Sequence, residues 1–157
     1  LPLAATLTTR RVWDAFLGAY AQSRSFFHGH SFGGNPLGCA AALASLELFD
    51  EEQTLVNVAQ RGQQLDECLS RLHKYRVVGD VRRRGLMAAV ELVSDRALQT
   101  PFPWTERLGH QVCQRALERG VWLRPLGNVI VIMPPLCVEA AHIEQIVDAV
   151  EYGIEQI

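Results

Sequence analysis

The sequence HGHSFGGNPL, residues 28–37, places three glycines, two histidines, one serine and an Asn-Pro pair in ten positions and leads directly into GCAAALASL, residues 38–46. Glycine allows backbone conformations with positive φ and lets another group approach closely. Asn35 is a favourable N-cap residue, and Pro36 suits the first position of a helix. We therefore predict a loop followed by a helix over residues 35–51, whose small side chains pack closely on several sides.

A glycine loop that ends at a helix N-terminus is a natural site for an anion, commonly a phosphate. The hydroxyl of Ser31 and nearby backbone N–H groups would hold that anion. The same residues are also compatible with a tight turn that only leads into the helix, because a short glycine-rich loop is a weak signal. His28 and His30 have H-x-H spacing, but no acidic or cysteine partner close in sequence completes a metal site.

The composition is typical of a folded protein with a hydrophobic core. Of the 157 residues, 48% are hydrophobic and 20% are charged, and the formal net charge of −2 gives no basic excess for binding nucleic acid. No apolar run approaches the roughly 20 residues of a membrane span. The four cysteines form no C-x-x-C pair, which predicts reduced, mostly buried thiols in a cytoplasmic protein without a metal or disulfide role: Cys39, Cys68, Cys113 and Cys137.

The first 53 residues predict one short strand and two helices. Apolar residues over 3–8 predict a buried strand, and Thr9 can cap a helix over residues 10–19. Because the sequence opens as if a strand were already under way, we expect it to be a piece of a longer chain.

Residues 54–157 predict an α+β domain with helices over one face of a small, mainly antiparallel sheet. Helical periodicity covers residues 54–73, 104–119 and 138–156, with Gly120 ending the second of these helices. Strand patterns cover residues 76–82, 85–92, 121–123 and 129–133, with a loop over 94–103 and a turn over 125–128.

Arg124 is a candidate carboxylate-binding residue, because it follows a strand and is fixed in place by Pro125. A guanidinium on a rigid backbone can bind a carboxylate through two hydrogen bonds, although an ordinary surface arginine fits the same pattern. Lys74 is the only lysine, and its polar surroundings predict a solvated charge. Asp80 and Glu91 could pair with the arginines at 82–84, but solvated strand ends are the favoured interpretation.

Residues 28–42 closely resemble the segment that follows the active-site lysine in class III pyridoxal-phosphate (PLP) aminotransferases. Residues 1–9 resemble the strand after that lysine loop. Residues 121–135, VWLRPLGNVIVIMPP, narrow the resemblance to the branch of this family that acts in biotin biosynthesis. The resemblance covers the whole chain in the right order.

The resemblance implies an α/β fold, with residues 1–53 as the end of a fold-type I PLP-binding large domain and residues 54–157 as a small α+β domain. It implies a homodimer with active sites at the subunit interface, in which His30 and Ser31 reach the PLP phosphate held by the other subunit. Ser31 stands where the family usually has threonine, so a hydroxyl is kept. Gly29 matches a position lining the substrate site, and Arg124 matches the arginine that binds the carboxylate of 8-amino-7-oxononanoate. S-adenosylmethionine is the implied amino donor.

The sequence departs from the family pattern in one large respect. The Schiff-base lysine and the aspartate that pairs with the pyridine nitrogen are absent, and we expect both upstream of Leu1. We therefore interpret the sequence as the C-terminal part of the enzyme, inactive by itself. Two alternatives stay open: another class III aminotransferase that uses an ω-amino acid or ornithine-like donor, and a non-catalytic stand-alone domain.

Overall fold

The computed structural model describes residue 1 and residues 3–157. Pro2, which is part of the segment resembling a strand, lies outside the described residues. The chain divides into two compact units, Leu1–Glu52 and Gln53–Ile157. This division falls one residue from the predicted boundary.

The first unit contains helix α1 (Arg10–Asp14), a 3-10 turn (Tyr20–Gln22) and helix α2 (Pro36–Glu51). The two predicted helix caps are confirmed. The Thr9 hydroxyl accepts a hydrogen bond from the backbone N–H of Val12 at the start of α1. Asn35 caps α2, and Pro36 is its first residue. These local signals succeed because a cap needs only its own helix as partner.

Two predictions for the first unit are wrong. Residues 3–8 form no strand, because no neighbouring strand among the described residues of this unit pairs with them. Helix α1 ends at Asp14 instead of residue 19. Trp13 in the helix and Leu17 beyond its end are about half exposed, at 54% and 47%, and a short helix with little to pack on is only marginally stable.

Gly38 is the only buried residue among those described in the first unit. Large apolar side chains are exposed there, including Phe27 at 82% and Phe32 at 70%. Exposed apolar side chains in such number are typical of a surface that contacts other protein.

The second unit has three α-helices and an antiparallel sheet, which confirms the predicted α+β class, but the sheet has five strands where four were predicted. The helices are α3 (Thr54–Ser70), α4 (Leu108–Glu118) and α5 (Ala140–Glu155). The strands are β1 (Val78–Arg84), β2 (Met87–Asp95), β3 (Thr100–Pro101), β4 (Arg124–Leu126) and β5 (Val129–Ile132). The order in the sheet is β1-β2-β5-β4, and β3 pairs with the far end of β2.

The hydrophobic core lies in the second unit, where side chains of α3, α4 and α5 pack with those of β1, β2 and β5. Seven large aliphatic residues are fully buried in it: Leu65, Leu69, Leu72, Leu92, Ile130, Ile132 and Ile143. This core holds β1, β2 and β5 in place, and β4, the edge strand that carries Arg124, is attached to it by pairing with β5. None of the helices in the described part of the chain is long and apolar enough to cross a membrane.

The structure corrects several boundaries in this unit. Helix α3 ends at Ser70 and continues as a 3-10 turn, and the predicted helix over 104–119 is broken at Arg107, whose φ is 53°. The predicted loop over 94–103 includes the short strand β3. The strand predicted over 121–123 lies instead at Arg124–Leu126, because a two-residue turn at Gly127 and Asn128 sets where the hairpin pairs.

Two further expectations about side chains are wrong. Arg82 Nη1 contacts both Asp80 and Glu91, at 2.8 and 2.6 Å, so these carboxylates are paired instead of simply solvated. The strand register explains the pairing, because Asp80 lies directly opposite Glu91. The cysteines are not mostly buried: Cys113 is buried, Cys39 and Cys68 are half-buried, and Cys137 is exposed.

Candidate functional site

The glycine loop is folded by its own backbone and one histidine ring. The Gly33 N–H donates to the carbonyl of His30, and the Asn35 N–H donates to the carbonyl of Phe32. The Phe32 N–H donates to Nδ1 of His30 at 3.2 Å. Because Nδ1 accepts this bond, a neutral His30 ring carries its proton on Nε2, which makes that nitrogen a donor.

The N-terminus of α2 does not supply the anion site that the sequence predicted. Asn35 Oδ1 accepts hydrogen bonds from the N–H groups of Leu37 and Gly38, and the Asn35 carbonyl accepts from Cys39. Pro36 has no N–H to offer. The first helical donors are therefore already used, so this part of the prediction is wrong.

The donors that remain lie in the loop itself. Ser31 is exposed, and among the described residues its hydroxyl and its backbone N–H have no hydrogen-bond acceptor. A methyl group added to Gly29 would meet nothing within 4 Å, so its own unit does not require glycine at this position. A groove of about 750 Å³ runs beside the loop and is lined by His30, Gly33 and Gly34.

This loop fits a phosphate group in its donor chemistry. The Ser31 hydroxyl, the Ser31 N–H and the protonated Nε2 of His30 are all donors, and phosphate oxygens are strong acceptors. The open space at Gly29 leaves room for a ligand next to these donors. Gly29, His30 and Ser31 are three consecutive residues of this loop, so the chain itself keeps them together.

Arg124 lies on the other unit, at the start of β4 and opposite Val131 of β5. Its side chain is exposed, and no acceptor among the described residues forms a hydrogen bond with its guanidinium. Arg124 thus lies on the edge strand of the sheet, with its side chain open to solvent. A free guanidinium held in this way can bind a carboxylate through two parallel hydrogen bonds.

A groove of about 600 Å³ surrounds Arg124. It is lined by residues 121–126 of the first hairpin strand and its approach, residues 131–135 of the second, and Ile146 of α5. Arg124 is the one charged residue among the described residues that line it. The groove can therefore accommodate a molecule that has one carboxylate and an apolar chain.

The apolar lining is the part of this site that sequence reasoning missed. Met133 lies at the end of the predicted strand over 129–133 and Ile146 lies within the predicted helix over 138–156, far from Arg124 in sequence. The pairing of β4 with β5 brings them next to Arg124. The turn at Gly127 and Asn128 is the sequence feature that could have indicated this lining, because it makes the two sides of the hairpin lie together.

Lys74 is exposed, as predicted, but its charge is paired with Glu151 instead of simply solvated. Its side chain is 60% exposed, and its Nζ lies 2.8 Å from a carboxylate oxygen of Glu151. The hydrogen bond to Glu151 raises the pKa of the Lys74 amino group, which keeps the group protonated at neutral pH. A protonated amine has no lone pair for attack on an aldehyde, so Lys74 does not fit the role of a Schiff-base lysine.

No group of three or more His, Cys, Asp or Glu side chains in the described part of the chain is arranged to hold a metal ion. His28 and His30 are both exposed. The His28 ring packs 5.5 Å from that of Phe26, and the His30 ring packs 5.5 Å from that of Phe32. Each histidine ring thus packs against a phenylalanine ring that is close in sequence.

Comparison with known proteins identifies the family. The Aminotransferase class-III family matches residues 1–154. The chain is 54% identical to an adenosylmethionine-8-amino-7-oxononanoate aminotransferase of Geobacter sulfurreducens, over all of this chain and 35% of that protein. It is 45% identical to the protein of the same name from Aquifex aeolicus, again over all of this chain and 35% of the relative.

Solved structures give the same result. A crystal structure of adenosylmethionine-8-amino-7-oxononanoate aminotransferase from Methanocaldococcus jannaschii superimposes with a TM-score of 0.94 at 40% identity, covering 99% of this chain and 36% of that one. An amine transaminase from an uncultivated Pseudomonas species, in its PLP-bound form, gives a TM-score of 0.87 at 35% identity, covering 94% of this chain and 33% of that one.

The chain thus spans about a third of the length of the curated relatives it matches. Within that third, the family match runs through both units without interruption. On these grounds the chain belongs to the class III aminotransferases.

Proposed function

We propose that this chain is the C-terminal part of a PLP-dependent aminotransferase of biotin biosynthesis. The full-length enzyme would transfer an amino group from S-adenosylmethionine to 8-amino-7-oxononanoate and release 7,8-diaminononanoate. The observation that carries the proposal is the 54% identity, over all 157 residues, to a relative named for this acceptor and donor.

The Arg124 groove supports the choice of acceptor. An oxononanoate has one carboxylate at the end of a long aliphatic chain, and the groove offers one guanidinium in an apolar lining. Arg124 would bind the carboxylate, and the apolar residues would exclude water from the chain. These contacts bind and orient the acceptor.

The glycine loop would hold the phosphate of PLP. Ser31 would donate from its hydroxyl, His30 would donate from Nε2, and Gly29 would leave room for substrate beside them. PLP supplies the electron sink for the amino transfer once it is bound. The chain's own Lys74 does not anchor it, so the anchoring lysine must come from elsewhere in the full-length protein.

The proposed enzyme is a homodimer in which this loop completes the neighbouring subunit's active site. The exposed apolar side chains of the first unit support it, since a surface of this kind normally contacts other protein. A cytoplasmic location, expected from the unpaired cysteines, is part of the same proposal.

The direct test is an assay of the full-length protein with PLP and 8-amino-7-oxononanoate. We expect 7,8-diaminononanoate to form when S-adenosylmethionine is the amino donor. Formation of the product from lysine or another amine, but not from S-adenosylmethionine, would support the proposed acceptor and contradict the proposed donor. Failure to convert the oxononanoate with any donor would overturn the proposed function.

A second candidate is an amine transaminase with a different acceptor. The 35% identity and TM-score of 0.87 to the Pseudomonas amine transaminase favour it over other classes. Adding pyruvate or a simple ketone as a competing acceptor in the same assay separates the two. This candidate requires transfer to that acceptor in preference to the oxononanoate.

Ser31→Ala is expected to weaken PLP retention by the full-length enzyme by about 1.5–3 kcal/mol, the range for a hydrogen bond to a charged group. Equilibrium dialysis of PLP against wild type and variant measures the difference. Ser31→Thr keeps the hydroxyl and is the matched control, with retention close to wild type. Equal retention by all three proteins would make Ser31 a turn residue only.

A further inference from the structure

The strand that carries Arg124 has few contacts to hold it in place. Strand β4 is only three residues long and lies at the edge of the sheet, where it pairs with β5 alone. An edge strand with one neighbour can shift more easily than a central strand. The position of Arg124 therefore depends strongly on what packs against the β4–β5 turn, Gly127 and Asn128.

Helix α4 packs against this turn through a glycine. Gly109 is buried in the first turn of α4. A methyl group on Gly109 would overlap the carbonyl oxygen of Gly127 and would lie 3.2 Å from Cβ of Pro125. Any larger residue at position 109 would thus push the turn and Pro125, and Pro125 is bonded directly to Arg124.

The ring of Trp104 also packs against the turn, although it is 78% exposed. A methyl group on Gly127 would lie 3.0 Å from Cη2 of the Trp104 ring, so the ring rests directly on the glycine backbone. Gly127 has a φ of 61°, which favours glycine at this position. Asn128 is fixed separately, because its side chain donates to the Phe102 carbonyl at 2.7 Å and its carbonyl accepts from the Leu92 N–H at 2.9 Å.

We propose that Gly109 and Trp104 are positioning residues for the substrate carboxylate. They confine Gly127 between helix α4 and an indole ring, and through Pro125 they set where the Arg124 guanidinium stands. This inference rests on the proposed function, since it takes Arg124 as the carboxylate-binding residue. Neither residue needs to touch the substrate.

The test is Gly109→Ala in the full-length holoenzyme. A displacement of the Arg124 hairpin is expected to raise the KM for 8-amino-7-oxononanoate between about tenfold and about a hundredfold, the scale of a displacement near 1 Å. The rate of the half-reaction with the amino donor, which does not use the acceptor carboxylate, is expected to change by less than about twofold. Calorimetric titration with nonanoate, an unreactive nine-carbon carboxylate, should show a parallel loss of affinity.

Gly62→Ala is the matched control. Gly62 is also a buried helix glycine against a hairpin turn, and a methyl group there would lie 3.0 Å from the Gly85 carbonyl oxygen. The β1–β2 turn carries no proposed substrate contact. Gly62→Ala is therefore expected to lower stability without changing the KM for the oxononanoate or the affinity for nonanoate.

Trp104→Ala tests the same role without steric overlap. Loss of the ring frees Gly127, and the KM for the acceptor and the dissociation constant of nonanoate should both rise several-fold. This variant decides the question if Gly109→Ala fails to fold. A loss of both half-reactions in equal measure, or unchanged nonanoate affinity in the folded variants, would overturn the positioning role while leaving the proposed function intact. An inactive wild type would overturn the proposed function, and the inference with it.

Discussion

Arg124→Ala in the full-length enzyme is expected to raise the KM for 8-amino-7-oxononanoate by about 10- to 150-fold. A hydrogen bond to a charged group is worth about 1.5–3 kcal/mol, and each 1.4 kcal/mol is a factor of ten in binding. The guanidinium is exposed and has no acceptor among the described residues, so its removal breaks no internal contact. The loss should therefore appear in substrate binding, with little effect on stability.

Separate kinetics for the two half-reactions measure this effect. The half-reaction with the donor should be nearly unchanged, and the half-reaction with the oxononanoate should carry the loss. Arg124→Lys keeps the charge without the paired hydrogen bonds and should recover only part of the affinity. Arg84→Ala, which removes an exposed arginine at the end of β1, is the neutral control. Equal losses in both half-reactions would contradict the carboxylate-binding role.

Leu69→Ala is expected to lower the free energy of unfolding by about 2–5 kcal/mol, the usual cost of truncating a buried leucine. Leu69 is fully buried on α3 within the core that α3 and α5 form with the sheet. The substitution removes apolar contact area and leaves a cavity that helices fixed against a sheet cannot easily close.

Urea unfolding followed by circular dichroism measures the difference. Leu55→Ala makes the same substitution on the same helix at a side chain that is 68% exposed. This control should change the free energy of unfolding by no more than about 0.5 kcal/mol. If both variants lost the same stability, the described core would not be the main source of stability in this chain.

Features governed by neighbouring residues were predictable from the sequence. Thr9, Asn35 and Pro36 begin helices where expected, because capping depends on atoms within one helical turn. Gly120, which follows the α4 C-cap residue Arg119, has a φ of 78°, as a helix-ending glycine should. The α+β class of the second unit followed from the change of hydrophobic period near residue 76.

Features governed by distant partners were not predictable. Residues 3–8 have the composition of a strand, but a strand forms only where another backbone pairs with it. Strand β4 is displaced from the apolar run at 121–123 to Arg124–Leu126, because pairing with β5 outweighs local preference.

The candidate site also combines features that the sequence predicts with features that it does not. Arg124, Gly29, His30 and Ser31 were chosen from sequence patterns, and their binding roles stay predictions. The apolar lining around Arg124 and the contact of Gly109 with the turn depend on how α4, α5 and the hairpin pack. No spacing along the chain encodes those distances.

The uneven distribution of buried residues has a consequence for how the chain fluctuates. Backbone amides exchange hydrogen with solvent when their hydrogen bonds open, and amides that share a core open together. Residues 53–157 share such a core, so the amides of β2 and β5 should exchange slowly and at a common rate. Among the described residues up to Glu52 only Gly38 is buried. The amides of α2 should therefore exchange at separate, faster rates. Binding of the cofactor or of a second subunit should then be detected first as slower hydrogen exchange in that unit.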